Sequence, residues 1–509
     1  MRGRRGTDRR GFLRISGAMG LAALAQGLLA GRALAEQRRR TAGYGPLLAT
    51  RDETTGLKLL RLPSGFRYRT FSWRGDSLAG GGRVPSNHDG MGVVSPPGSS
   101  IVTLVRNHER PNPGEPFGNG SPRYDPTARG GTTTLRFDVV HGEWLSTEAS
   151  LSGTVDNCSG GVTPWGTWLS AEESTEGSED GFAEEHGWVF EVPADGRASA
   201  RPLRGLGRFE HESACVDPRT HFVYLTEDDR FTAGFYRFRP QRVLPATSAG
   251  AQRAGVGGTE LAAGGRLEML RVTGTNALDL GPARIGQVFD VEWVPVDDPE
   301  LGPQTGVGPW SSHGGQTTSC SGPFLQGVGA GGSRFRRLEG VTYDAVTDTI
   351  VFVDTDGGFP ARDSGDVEGA IWRYDPRHER IEVVYASRAC RVLDTPDNVA
   401  TSPRNGVIVV CEDGDGPGTR ISGLDARGEI FEIAQNDVVL AGEHNGIEGD
   451  YRDSEWAGVC FDPSGEWLFA NIQEPGFTVA ITGPWGSGPL GDAAERRRLA
   501  DMPTPKETR

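Results

Sequence analysis

Short apolar runs punctuate the chain, each about four to seven residues long and bounded by Gly, Asp, Asn or Pro: IVTLV at 101–105, FVYLT at 222–226, TIVFV at 349–353, VIVV at 407–410 and EWLFA at 466–470. Runs this short and rich in β-branched and aromatic residues predict buried strands. Their surroundings repeat too. In VDPRTHFVYLTEDD, YDAVTDTIVFVDTDGG, TSPRNGVIVVCEDG and FDPSGEWLFANIQEP a turn precedes the strand, and polar or acidic residues follow it. Three of these units continue into a second strand with an aromatic or apolar end: FYRFRP, AIWRYDP and EIFEIAQN. Strand–turn–strand units recurring at intervals of tens of residues predict an all-β chain folded as a β-propeller, with an irregular sandwich as the alternative. The Gly-rich stretches 246–265 and 302–332 are expected as long insertions between blades.

The first strand of a propeller blade lies nearest the axis, so acids at strand ends would converge on one axial cavity. Glu227-Asp228-Asp229, Asp354-Thr355-Asp356 and Glu412-Asp413 are the groups in question. The competing expectation is that each caps a solvated turn, a common place for Asp. Recurrence at equivalent positions favours metal binding.

Composition sharpens the picture at a few points. Gly at 75 and Pro at 33 of 509 residues suit a turn-rich fold. Arg9-Arg10-Gly11-Phe12-Leu13 resembles a twin-arginine export signal, and the uncharged stretch 15–30 falls short of the ~20 residues of a spanning helix. Ala33-Leu34-Ala35 then suits cleavage. The expected organisation is a signal at 1–35, a linker at 36–60, one catalytic propeller at 61–490 and a tail at 491–509. Export in the folded state by the twin-arginine machinery implies a periplasmic or secreted protein without a stable membrane anchor.

Loss of residues 1–35 removes seven arginines and Asp8, taking the formal charge from −15 to −21. Such a surface repels nucleic acid and suits hard cations. The six cysteines, Cys158, Cys215, Cys320, Cys390, Cys411 and Cys460, form no C-x-x-C pair, which argues against a zinc ribbon or redox motif. Cys215, Cys411 and Cys460 lie in apolar runs and are expected in the core.

Cys158 is different. It stands in GTVDNCSGGVTPWGTWLSAEES, between Asp156-Asn157 and a Gly-Gly turn, and upstream of Glu172-Glu173. Other constellations are Asn107-His108-Glu109, Arg208-Phe209-Glu210-His211-Glu212, Arg336-Arg337-Leu338-Glu339, Asp397-Asn398, Glu412-Asp413 and 471–476. Many carboxylates with few histidines suit calcium or ferric iron. One thiol among them points to a transition metal that would hold it ionised.

As an ordered set, NHE, DNCSGGVTPWGTWLSAEES, GRFEHE, YLTEDD, RRLEGVTYD, IWRYDP, PDNV, CEDG and AGVCFDPSGEWLFANIQEPGFTVAITGPW resembles the PhoX-type bacterial alkaline phosphatases over most of the mature chain. The resemblance implies a six-bladed propeller whose axial site holds two ferric ions (Fe3+) bridged by oxide, with Ca2+ alongside. It implies Cys158 bridging the irons, Glu212 and Glu339 binding them, and Arg337 gripping the substrate phosphate. Glu109, Glu173 and Glu412 would bind calcium, and Asn107 would contact substrate. Asp156 stands where the family pattern has Asn, which adds a negative charge beside the metals.

The function expected is an exported, metal-dependent phosphatase hydrolysing small phosphate monoesters. A calcium-dependent lactonase would not need Cys158, and a catalytically inactive metal-binding propeller is the further alternative. Retention of both Arg337 and Glu339 speaks against an inactive protein.

Overall fold

The computed structural model describes residues 43–491, apart from 197, 244–260, 307–311, 314, 315, 318, 359–368, 388–391 and 415. The export signal, Cys390, most of 246–265 and the tail beyond 491 lie outside the described residues. What is described is nearly all β, as the short apolar runs predict.

Six strands stand innermost: His88–Val93, Asn157–Val162, His211–Val216, Leu338–Asp344, Pro396–Thr401 and Trp456–Phe461. Each packs against the next in this order, and the last packs against the first, so the ring closes. From each ring strand an antiparallel sheet runs outward, beginning with Ile101–His108, Thr167–Glu172, Val223–Glu227, Thr349–Asp354, Ile408–Glu412 and Leu468–Ile472 respectively. This is a β-propeller. The third and fourth sheets join at their outer rims, where Val288–Val296 pairs with Arg380–Ala386.

The core is not central. It consists of apolar wedges between neighbouring sheets, such as Leu169, Val189, Leu225 and Phe238 between the second and third, or Val351, Ile371, Val410 and Ile430 between the fourth and fifth. Each strand therefore feeds two wedges: in Val223–Glu227, Leu225 faces one side and Tyr224 the other. Alternate side chains point to opposite faces of a sheet, and a sheet covered on both faces shows a continuous apolar run instead of alternation. Cys215 and Cys411 lie in such wedges, and Cys460 packs against another.

The chain closes its own ring. Arg67–Phe71, from near the N-terminus, pairs with Phe477–Thr482 and completes the last sheet. The stretch expected as a linker supplies two more strands. Leu48–Arg51 pairs with Lys58–Leu62, which reaches Ile430–Asn436 through Leu60 and Arg61; Leu59, Leu60 and Leu62 enter the wedge between the fifth and sixth sheets. Within 302–332 the segment Gly322–Gly329 forms a helix that buries Phe324 and is capped by Ser321, whose hydroxyl accepts from the Phe324 N–H.

Candidate metal centre

Every ring strand carries the same irregularity near its start. Pairing runs from His88 with His108 to Met91 with Arg106, so the ring strand holds one residue more than its partner. The same shift follows Asn157, His211, Leu338, Pro396 and Ala457. A bulge of this kind kinks the strand and re-aims a side chain. The residues at this station are Asp89, Cys158, Glu212, Glu339, Asp397 and, in the last sheet, Gly458.

A second station lies one residue past the end of each partner strand. It holds Glu109, Glu173, Asp228, Thr355 and Asp413 in the first five sheets. Glu455, just before the sixth ring strand, adds a further carboxylate.

Eight of these residues meet in three groups, each with its ligand atoms within 4.8 Å of one another: Cys158, Glu173 and Glu212; Glu212, Glu339 and Asp397; and Asp89, Glu109 and Glu455. Glu212 belongs to two groups, and the Cys158 thiol donates to Asp89 Oδ1 at 3.6 Å, linking the third to the first. Asn398 donates to Glu212 Oε1 at 3.3 Å and accepts from the Gly458 N–H. Gln473 donates to Asp89 Oδ2 at 3.2 Å and also to Glu109.

Charge is what this arrangement lacks. Burial first, and then the charge of neighbouring carboxylates, push Asp89 (beside Glu109), Glu173 and Glu339 (beside Asp228), Glu212 (beside Asp397) and Glu455 (beside Asp413) well above the usual carboxylate range. Asp156 and Asp397 rise to about 8, for Asp156 by burial and then the Glu109 charge, for Asp397 by burial and then Asp413. Burial, followed by Asp89, likewise raises the Cys158 thiol. Buried carboxylates are tolerated when they are paired or coordinate metals. Glu212 Oε2 is buried without a hydrogen-bond partner, so the donor set fits cations: mostly hard oxygens, with one thiol for a transition metal.

Arg337 is the arginine set among these groups. It holds φ at +50°, an uncommon conformation for a side-chain-bearing residue, directly before the fourth ring strand. Its Nε and Nη2 donate to the Asp228 carboxylate at 3.1 and 2.8 Å, and Nη2 lies 3.1 Å from Glu339. Glu339 and then Asp228 raise its pKa, overcoming burial. The side chain keeps 31% of its surface open, so one guanidinium braced by two acids faces outward.

Two expected site residues sit elsewhere. Glu412 joins none of the three groups; Arg420 donates to both of its oxygens, at 2.8 and 2.9 Å. The reason is parity: Glu412 is the last strand residue and points back into the sheet, and Asp413, one residue on, occupies the site-facing station. Glu227 and Asp354 are equivalent to Glu412; Glu227 is held by Tyr236, Ser321 and the Gly234 N–H. Asn107 does not reach the site mouth. It is fully buried, donating to the carbonyls of Cys158 and Ser159 at 3.2 and 2.7 Å and accepting from Trp168 and Ser170, so it fixes the backbone that carries the thiol.

Asp89 and Glu455 were missed because neither follows the end of an apolar strand run. A signal existed for Asp89: at five stations the ligand type precedes a small or short residue, in Asp89-Gly90, Cys158-Ser159, Glu212-Ser213, Glu339-Gly340 and Asp397-Asn398. Ring strands approach closely there. A Cβ on Gly90 would come 2.4 Å from Ser159 Cα, and one on Gly340 would come 2.7 Å from the Val399 nitrogen.

Fold and site together define a β-propeller with a buried acidic centre, fit for several cations, beside a braced arginine. The chain belongs to the alkaline phosphatase PhoX family, whose model matches residues 42–151 and 145–476. It is thus a phosphatase by family. No curated protein matches the sequence. Among solved structures it is similar to Pseudomonas fluorescens PhoX in complex with vanadate, a transition state analogue, at 17% identity and a TM-score of 0.60, covering 87% of this chain and 99% of that one. The PQQ domain of a Coprinopsis cinerea pyranose dehydrogenase (9% identity, TM-score 0.34, covering 86% and 100%) and a Xanthomonas campestris gluconolactonase (12%, 0.32, covering 82% and 99%) match more distantly.

Proposed function

We propose that the protein is an exported phosphatase that hydrolyses phosphate monoesters at the centre formed by Cys158, Glu212 and Glu339, its six ring strands each opening one blade. The observation that carries this reading is the convergence of three carboxylate-rich groups around one thiol, with Arg337 braced beside them. Cys158, Glu173, Glu212, Glu339 and Asp397 would hold transition-metal ions, ferric by family resemblance; Asp89, Glu109 and Glu455 offer the all-oxygen set that suits calcium. Bound there, the cations would neutralise the acids, polarise the ester and activate an oxygen nucleophile.

The chain's own contribution is position. Arg337 offers a planar, permanently charged fork to the phosphoryl oxygens, and Asp228 and Glu339 hold it in place before substrate arrives, so little reorganisation accompanies charge development. Asn107 and Asn398 fix the Cys158 backbone and the Glu212 carboxylate. Water attacks phosphorus, the P–O ester bond breaks, and the departing alcohol takes up a proton. Export would follow the twin-arginine route in the folded state.

Protein purified after export should carry iron and calcium by elemental analysis and release p-nitrophenol from p-nitrophenyl phosphate, with activity lost to a calcium chelator. Calcium without iron and no phosphate release would overturn the reading and favour a lactonase.

A further inference from the structure

A substrate phosphate approaching this acidic centre is helped by positive charge on the chain itself. Arg337 supplies it beside the fourth ring strand. The ring order puts the first sheet directly across the axis, since the first ring strand touches the second and sixth, and the fourth touches the third and fifth. On that opposite side stands Arg110, next in sequence to Glu109 of the acidic centre.

Arg110 is half-buried and has no ion pair among the described residues. Its guanidinium donates to Ser86 Oγ at 3.1 Å, on the segment that enters the first ring strand, and its carbonyl accepts from the Asp156 N–H at 3.4 Å, two residues from Cys158. Its charged neighbours are two further arginines, Arg74 and Arg129, and one acid, Glu474. The Arg129 and Arg74 charges repel the Arg110 guanidinium, and Glu474 attracts it. Glu474 is already 3.6 Å from Arg74, and Arg129 Nε donates to the Asn112 carbonyl at 3.0 Å. Three arginines against one carboxylate repel one another, and a half-buried guanidinium without a counter-charge is costly unless an anion arrives.

We propose that Arg110, supported by Arg129 and Arg74, forms a second anion subsite on the side of the acidic centre opposite Arg337, where it receives a phosphate or carboxylate on the leaving group. The favoured substrates are then phosphate esters carrying a second anionic group several bonds from the scissile phosphate. The subsite rests on the phosphatase reading for its purpose, but not for its binding chemistry.

The test uses the exported, metal-loaded full chain and two matched esters, hexane-1,6-diol bisphosphate and hexyl phosphate. Two identical ends give a statistical advantage of two in kcat/KM. A charge-assisted contact raises the ratio to about tenfold or more. In R110Q the ratio falls towards two, and R129Q, altered at a less central arginine, lowers it in part. A wild-type ratio near two, or a ratio that R110Q leaves intact, overturns the subsite. Calorimetry with the non-hydrolysable hexane-1,6-bisphosphonate and hexylphosphonate repeats the comparison without turnover. Tighter bisphosphonate binding that depends on Arg110, in a protein that cleaves neither ester, would refute the phosphatase reading and keep the subsite; equal binding of the two phosphonates overturns it.

Discussion

Adjacent acids in one turn can have opposite duties. Glu172 and Glu173 are the clearest pair. Glu172 is buried against His186 and accepts from the N–H groups of Val155, Gly187 and Trp188, whereas Glu173 faces Cys158 and Glu212. Glu412 and Asp413 repeat the division. E412Q should therefore weaken a buried pair with Arg420 and lower unfolding stability by up to about 3 kcal/mol, with iron and calcium content unchanged. E173Q should do the reverse, losing metal while the denaturant midpoint of the metal-free protein holds or rises. Elemental analysis beside urea unfolding separates the two; loss of metal from E412Q would return that residue to the site. The acidic turns were legible in the sequence, but the parity within each was not. Parity depends on which residue ends the strand and on the bulge in the facing ring strand, and both are products of pairing between segments.

At the scale of elements, one buried clasp holds the loop between the second and third strands of the second sheet. His186 lies 2.7 Å from Glu172 and 3.3 Å from Asp125, with all three side chains fully buried. Asp125 also accepts from the N–H groups of Ala183 and Glu184, so loop, strand end and the 125–127 turn are tied together. Burial alone would lower the His186 pKa, but the Glu172 and Asp125 carboxylates outweigh it and the net shift is upward. A histidine whose folded pKa exceeds its unfolded value of about 6.5 contributes stability that is fully present below that value and is lost as pH rises through the folded pKa. Wild-type unfolding midpoints should thus fall across that window, and H186Q should be less stable at pH 6 by about 3 kcal/mol and lose this part of the slope. An identical slope in H186Q would mean that the clasp is neutral throughout. Nothing in STEGSEDGFAEEHG announces it, because the partners Asp125 and Glu172 are contributed by other segments. The strands at 48–51 and 58–62 were hidden for a related reason: only two very short apolar runs, Leu47-Leu48-Ala49 and Leu59-Leu60, mark them, and their value lies in a wedge built mostly by residues some 370 positions away.

Across the whole molecule, the fold was legible where the centre's chemistry was only partly so. Wedge packing imprints its own repeat on every strand, so the propeller could be read from the runs. The centre gathers eight isolated residues from six sheets, and only the ring brings them together. That assembly makes stability depend on metal and on pH in linked ways. In the metal-free protein Asp156 and Asp397 are held up to about 8, and Asp89, Glu173, Glu212, Glu339 and Glu455 stand well above the usual range. Unfolded carboxylates titrate near 4. Between about pH 4 and pH 8 the folded metal-free chain therefore binds more protons than the unfolded one, and its stability falls as pH rises. Cations replace those protons, so metal binding should release protons and stabilise the fold in proportion to the logarithm of metal concentration. Urea midpoints of chelator-treated protein should drop steadily from pH 5 to pH 8, while those of metal-loaded protein stay level or rise. The gap between the two should be widest at the alkaline end, where the uncompensated acids are most fully charged. A metal-free protein equally stable at both ends of that range would mean that these carboxylates reach solvent, and that the ring does not enclose the centre as the geometry requires.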